Sequence, residues 1–257
     1  MTGRQHLFNL TGEHAVISGA GRGIGRAAAT ALAAQGAEVT LFDRSGTDLA
    51  DTHELVERAG GSARAVIGDV TNEADLDRLV AAAGEAELEV SVVVNCAGIV
   101  RRTPIEDFAL ADLDALWEVN VRGTVAVTHR FVPGMVRRRR GKVVNVGSLG
   151  SVLGLERRTA YATTKGAVAS YTQSLALELG PHGICVNAVG PGYVATEMTA
   201  DWLQGDEERT ARLLGRIPLG RFAETADVEG LFVFLSSRAS DYITGQLVML
   251  DGGWTCG

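Results

Sequence analysis

The chain has few aromatic residues, few cysteines, and no apolar run of membrane-spanning length. Phe, Trp and Tyr together make up 5% of its 257 residues. Hydrophobic residues still reach 46%, so a core must be built from Ala, Val, Leu and Ile. That composition suits helices packed closely on a buried sheet. The three cysteines, Cys96, Cys185 and Cys256, are odd in number and lack paired spacing. This argues against a disulfide framework and against a zinc site. No ligand cluster is visible, and no metal is expected. Free thiols suit a reducing compartment. The opening residues carry no signal-peptide-like apolar stretch, and nothing approaches a membrane span. A cytoplasmic protein without a membrane partner is therefore expected. Asn9-Leu10-Thr11 matches a glycosylation acceptor, which means nothing in such a compartment. Positive charge is also short. A net charge of −7 argues against a nucleic-acid partner. The four arginines at 137–140 read instead as the positive end of a helix.

Glycine, by contrast, is abundant, with 32 residues, more than loops alone would need. Short apolar runs alternate with amphipathic stretches. Strands are expected at 15–18, 38–42, 64–68, 90–94, 142–146, 184–189 and 246–250. Helices are expected at 24–35, 47–59, 72–84, 111–136, from Tyr161 to about Leu179, and at 225–236. Residues 195–215 read as irregular or helical. This alternation predicts an α/β chain with a parallel sheet covered on both faces. No linker or repeat divides it, so 1–257 is read as one domain.

The first strand runs into SGAGRGIG, residues 18–25, and then a helix. Glycines at 19, 23 and 25 permit a tight turn, let backbone N–H groups approach a pyrophosphate, and lead into a helix N-terminus that favours negative charge. The spacing is G-x-x-x-G-x-G, not the G-x-G-x-x-G of the standard dinucleotide fingerprint. The second strand ends at Asp43, eighteen residues after Gly25. An acid there can accept from both adenosine ribose hydroxyls and repel a 2′-phosphate. Arg22 and Arg44 stand close enough in sequence to serve such a phosphate, so NADP stays open beside NAD.

Residues 148–165 carry the chemistry. Tyr161 and Lys165 are four apart, which on a helix places them one turn apart on one face. A phenol alone is a poor base at neutral pH. An ammonium about 4 Å away favours the phenolate by roughly 4 kcal/mol at an effective dielectric near 20. Ser148, thirteen residues earlier, offers a hydroxyl to hold a substrate oxygen against the phenol.

Together these residues resemble the short-chain dehydrogenase/reductase family over essentially the whole chain. SGAGRGIG is similar to its TGxxxGxG turn, with Ser18 for the usual Thr. Asp69-Val70 matches the pair that flanks adenine. Asn95-Cys96-Ala97-Gly98 matches the Asn-Asn-Ala-Gly motif, except that Cys96 replaces the second Asn. Asn120 falls on the active-site Asn, Ser148 on the catalytic serine, and Tyr161 and Lys165 on Tyr-x-x-x-Lys. Residues 191–196, PGYVAT, resemble the segment that binds the nicotinamide carboxamide.

The resemblance implies a Rossmann-type doubly wound sheet of about seven parallel strands. It implies catalytic roles for Asn120, Ser148, Tyr161 and Lys165. It implies cofactor contacts at Gly19, Arg22, Gly23, Ile24, Gly25, Asp43, Asp69, Val70, Asn95, Ala97, Gly98, Tyr161, Lys165, Pro191, Gly192, Val194 and Thr196. Tyr161 would shuttle the proton, Ser148 bind the reacting oxygen, Lys165 hold the nicotinamide ribose, and Asn120 anchor a water. A homotetramer is implied, with a dimer as fallback.

The segments 98–108, 178–199, 217–222 and 251–254 look most like the family's sugar-acid and polyol enzymes, the gluconate 5-dehydrogenase and 2-deoxygluconate 3-dehydrogenase type. Residues 193–215 are expected to cover the substrate, offering Glu197, Thr199 and Trp202. Arg101, Arg102, Arg157 and Arg158 are candidates to clamp a carboxylate. An NADPH-dependent 3-oxoacyl thioester reductase is the alternative enzyme, and a non-catalytic dinucleotide-binding protein the remote one.

Overall fold

A computed structural model describes residues 7–197, 199, 203 and 205–257. Seven strands form one sheet: β1 (His14–Ser18), β2 (Glu38–Asp43), β3 (Ser62–Ile67), β4 (Val90–Asn95), β5 (Gly141–Val146), β6 (Ile184–Pro191) and β7 (Leu247–Leu250). Their order is β3-β2-β1-β4-β5-β6-β7, and every pairing is parallel. The helices between them are α1 (Gly23–Ala34), α2 (Gly46–Arg58), α3 (Glu73–Gly84), α4 (Leu110–Trp117), α5 (Thr124–Arg138), α6 (Thr159–Leu179), α7 (Glu207–Leu214) and α8 (Thr225–Ser236). The expected doubly wound architecture is the one observed.

Two apolar layers sandwich the sheet, sorted by the two-residue period of the strands. Ala15, Ile17, Val39, Leu41, Val92 and Val94 face α1, α2 and α8, where Leu32, Leu49 and Phe232 are fully covered. Val16, Phe42, Val93 and Val143 face the opposite layer, built from α3, α5 and α6. Small residues let α1 lie close, with Ala28, Ala29 and Leu32 at zero exposure. The two edge strands escape two-sided burial: Ile67 on β3 is 58% exposed, and every residue of β7 is half-buried.

Local chemistry fixes the helix starts. Ser45 Oγ accepts from Asp48 N at the start of α2, and Asn72 Oδ1 accepts from Ala74 N at the start of α3. Each such cap contributes about 1 kcal/mol. The stretch expected as one helix over 111–136 is two helices joined by a single wide π-turn, Glu118–Gly123. Inserted turns of this kind cluster at functional sites.

The amino ends of the strands carry a polar belt. Buried His14 pairs Nδ1 with Leu88 O at 2.8 Å and Nε2 with Thr40 Oγ1 at 2.9 Å. The arginine run is used here. Arg138 donates to Val90 O, Arg139 donates to Pro181 O, and Arg140 pairs with Glu13. On β5, Lys142 Nζ meets Asp241 Oδ1 at 2.9 Å. Among the described residues, no helix is long and apolar enough to cross a membrane.

Strand order reverses between β1 and β4, whose last residues, Ser18 and Asn95, stand side by side. In open α/β sheets the crevice outside the carboxyl ends of the strands, at this switch point, is where ligands bind.

Candidate active site

A cleft of about 1130 Å³, open mouth included, lies at that switch point. The glycine turn forms its floor. Gly19 has φ +68°, and a Cβ there would sit 2.6 Å from Ala97 N. A Cβ on Gly25 would sit 1.9 Å from Gly19 O. Only glycine lets the turn, α1 and the loop after β4 meet this closely. Unlike α2 and α3, α1 has no side-chain cap, so its first N–H groups stay free of a capping partner. Arg22, Gly23 and Ile24 line the cleft with Gly19 and Gly25.

Asp43, at the end of β2, is held in place. Its Oδ2 accepts from Gly21 N at 2.9 Å and its Oδ1 from Ser45 N at 3.1 Å. Arg44 Nη1 lies 3.4 Å from Asp69 Oδ2. Asp69 Oδ1 in turn accepts from the Thr71 backbone N–H and hydroxyl, at 2.9 and 2.8 Å. Asp69, Val70, Ala97, Gly98 and Thr196 all line the same cleft. The donors and acceptors present fit a dinucleotide: uncapped N–H groups for a pyrophosphate, a fixed carboxylate for ribose hydroxyls, and an apolar slot at Val70.

At the far end, Lys165 is buried and its Nζ donates to Val146 O at 2.8 Å. The same Nζ is 5.8 Å from the Tyr161 ring centre. Ser148 Oγ accepts from Gly150 N at 3.2 Å, which leaves its own hydrogen to donate. Asn120, fully buried on the π-turn, accepts from Ile99 N at 2.8 Å. Its Nδ2 donates to Ile99 O at 3.0 Å and to Thr164 Oγ1 at 3.1 Å. One Oδ1 lone pair remains. Cys96 also borders this end, and burial pushes its thiol up to about 12, against the pull of the Lys165 charge. A thiol held protonated in this way is a poor nucleophile.

A second, smaller pocket continues from the first. Ser148, Tyr161, Arg102, Arg158, Tyr193 and Thr199 line it. Tyr161 lines both spaces. Burial, and next the guanidinium of Arg158, lower the Arg102 pKa from its ordinary value. Arg158 Nη2 lies 3.1 Å from Tyr193 Oη, and Tyr193 packs edge-on to Trp254 with ring centres 5.0 Å apart.

The expected residues do not all converge. Gly192 and Val194 line the smaller pocket, not the larger one, and Pro191 lines neither. Asn95 turns into the sheet, where Nδ2 donates to Thr128 Oγ1 and Asn145 Oδ1, both at 2.8 Å. It is a strut behind the cleft, because its side chain points to the layer of α5 and α6. Of the four arginine candidates, Arg101 pairs with Asp112 at 3.1 Å and does not line the pocket of Ser148, and Arg157 is exposed at φ +59°. Trp202 lies outside the described residues. Val119, Thr164 and Leu155 were not legible beforehand. They are ordinary helix and loop residues with no motif to mark them.

Fold and cleft together define a doubly wound dinucleotide-binding protein. A sequence model described as Enoyl-(Acyl carrier protein) reductase matches residues 19–255. The chain is 41% identical to gluconate 5-dehydrogenase of Gluconobacter oxydans (strain 621H) over 97% of both chains. It is 36% identical to 2-dehydro-3-deoxy-D-gluconate 5-dehydrogenase of Bacillus subtilis (strain 168) over 96% of each. A crystal structure of gluconate 5-dehydrogenase from Burkholderia cenocepacia J2315, in complex with NADP and tartrate, superposes with TM-score 0.92 at 33% identity, covering 98% of both chains. The chain belongs to the short-chain dehydrogenase/reductase family of oxidoreductases.

Proposed function

We propose that this enzyme transfers a hydride between NAD(H) and a secondary alcohol or ketone of a sugar acid or polyol. The observation that carries this reading is the place of Tyr161, whose phenol borders both the large cleft and the small pocket holding Ser148 and two arginines. A nicotinamide ring, when bound, accepts or gives the hydride. The chain does the rest. Tyr161 takes the hydroxyl proton in oxidation and returns it in reduction. Ser148 donates its free hydrogen to the same substrate oxygen. Lys165, with one N–H on Val146 O, keeps two for the ribose hydroxyls and the phenol side. The remaining Asn120 lone pair serves a water that leads protons to solvent. The free N–H groups of α1 take the pyrophosphate. Within the segment expected to cover the substrate, 193–215, Tyr193 and Thr199 line the small pocket, while residues 198, 200–202 and 204 lie outside the described residues.

Arg102 and Arg158 suit a carboxylate, since both guanidiniums line the pocket that holds Ser148 and a guanidinium can bind a carboxylate through paired hydrogen bonds. The relatives acting on gluconate derivatives support the same substrate class. Asp43 favours NAD(H), because its fixed charge repels a 2′-phosphate. NADP(H) is the second reading, favoured by Arg22 and Arg44 in the same cleft and by the relative crystallised with NADP.

The test follows NADH and NADPH absorbance with gluconate, other aldonates, polyols and acetoacetyl thioesters. Turnover of an aldonate or polyol with NAD is expected. Activity confined to the thioesters overturns the reading in favour of an NADPH-dependent acyl thioester reductase.

A further inference from the structure

Gly123 ends the π-turn with φ −59° and ψ −44°, a helical conformation open to any residue. Glycine is a poor choice there, costing helix stability relative to alanine. The backbone does not require it, and its surroundings do. A Cβ on Gly123 would sit 2.6 Å from Val70 Cγ2 and 3.0 Å from Val70 Cβ. Val70 is buried and lines the cleft beside Asp69.

The same turn touches the cleft at several points. Val119 lines it directly. Asn120, three residues before Gly123, ties the loop after β4 to α6 through Ile99 and Thr164. Arg122 Nη1 donates to Thr71 O at 3.4 Å and its Nη2 meets Glu73 at 3.1 Å. Thr124 Oγ1 donates to Asn120 O at 2.9 Å. One face of the turn therefore braces residues 70–73, and the other holds the lysine end through Asn120. Gly98 marks that end: a Cβ there would sit 3.3 Å from Asn120 Oδ1 and 3.7 Å from Lys165 Nζ.

We infer that Gly123 is a positioning residue that sets the spacing between the adenine-side wall at Val70 and Asn120 at the reacting end. This rests on reading the cleft as a dinucleotide site. A side chain at 123 must push Val70 into the slot or push the turn outward. The first narrows the space for the cofactor. The second draws Asn120 off Ile99. Cofactor affinity and turnover at saturating cofactor should therefore fall together.

The experiment compares the unmodified protein with Gly123→Ala, Val70→Ala and the double variant. NADH affinity is read by fluorescence titration, kcat at saturating cofactor by initial rates, and melting temperature without cofactor by circular dichroism. Gly123→Ala is expected to weaken NADH binding and to lower kcat, each by about tenfold. The double variant, in which the clashing Cγ2 methyl is gone and only the 3.0 Å approach to the Cβ of residue 70 remains, is expected to recover part of both losses relative to Gly123→Ala, and part of any loss of melting temperature. If Gly123→Ala gives no folded protein, recovery of folded, NADH-binding protein in the double supports the inference, and no recovery overturns it. Normal NADH affinity and kcat in Gly123→Ala also overturn it, as does a double variant whose losses simply add. Lack of binding of both NADH and NADPH by the unmodified protein overturns the reading of the cleft, and the inference with it; where only NADPH binds, the same comparison is made with NADPH.

Discussion

Asn120 is the residue whose replacement tests the site most sharply. Its side chain makes three hydrogen bonds in a fully buried position. Replacing it with Ala removes all three and leaves the Ile99 N–H and C=O without their partner. At about 1 kcal/mol net for each bond, the loss is roughly 3 kcal/mol. For a chain of this size that is on the order of 10 °C in melting temperature. Asn120→Asp is the more telling variant. It keeps the shape and the oxygen that accepts from Ile99 N. Its second oxygen faces Ile99 O and the hydroxyl of Thr164, whose hydrogen already goes to Tyr161 O at 2.8 Å. A carboxylate is thus set against two oxygens in a buried place, and the variant should be no better than Ala. The loop that carries Gly98 and Ile99 then loses its tie to α6. Displacement by about 1 Å at such a site costs on the order of 10²-fold in turnover. Thermal melting and initial rates of the three proteins read both effects. A melting temperature and kcat for Asn120→Asp equal to those of the unmodified enzyme would refute the reasoning.

Tyr161→Phe keeps the ring and removes the proton carrier, so kcat should fall by roughly 10²-fold or more while NADH titration stays close to normal; near-normal turnover rules Tyr161 out as the acid/base. Asp43→Ala should narrow the preference for NAD over NADP by at least about tenfold in kcat/KM, and a clear NADP preference in the unmodified enzyme defeats the premise. Burial, the main cause, holds the His14 pKa below its free value of 6.5, with the Leu88 carbonyl and Glu38 opposing and Arg64 adding to the shift. The unfolded chain therefore takes up this proton first, and stability contributed by His14 above pH 6.5 is lost as pH falls below it, at up to about 1.4 kcal/mol per pH unit. Denaturant titrations at neutral and mildly acidic pH check this, and His14→Gln should flatten the difference; an unchanged slope contradicts it. Apolar side chains stay exposed along α4 to α6, including Trp117, Val152, Leu153 and Leu177. A homotetramer is expected, with a dimer as fallback, and light scattering that returns a monomer at micromolar concentration excludes both.

Much of this was legible in the sequence because local signals and the global fold agree. Strand runs such as SVVVN and KVVNV are buried because they lie between two helix layers. Tyr161 and Lys165 were readable because a four-residue spacing on a helix leaves one geometry. The π-turn was not. Residues 111–136 read as one helix, because a single inserted residue only offsets the phase of the apolar stripe and brings no breaker residue that would end the helix. Gly123 reads as a weak spot in a helix until Val70, more than fifty residues earlier, is set against it. Adjacent arginines were equally opaque. Nothing in the order of Arg101 and Arg102 tells which turns toward Ser148, because Asp112 captures one of them through space. Asn95 lies in a cofactor-associated motif, yet both hydrogens of its amide nitrogen are spent inside the sheet.

Lys142 and Lys165 are the only lysines in the chain. One is paired with Asp241 on the flank of the sheet, its side chain 12% exposed, and the other is buried at the end of the cleft. Cationic surface is therefore almost wholly guanidinium, which common amine-reactive reagents leave alone. An aldehyde or active-ester support would find no well-exposed lysine to grip, and reagent that did penetrate would meet Lys165 in the cleft. Surface carboxylates, of which the chain has an excess over cationic groups, offer far more numerous handles than lysine does.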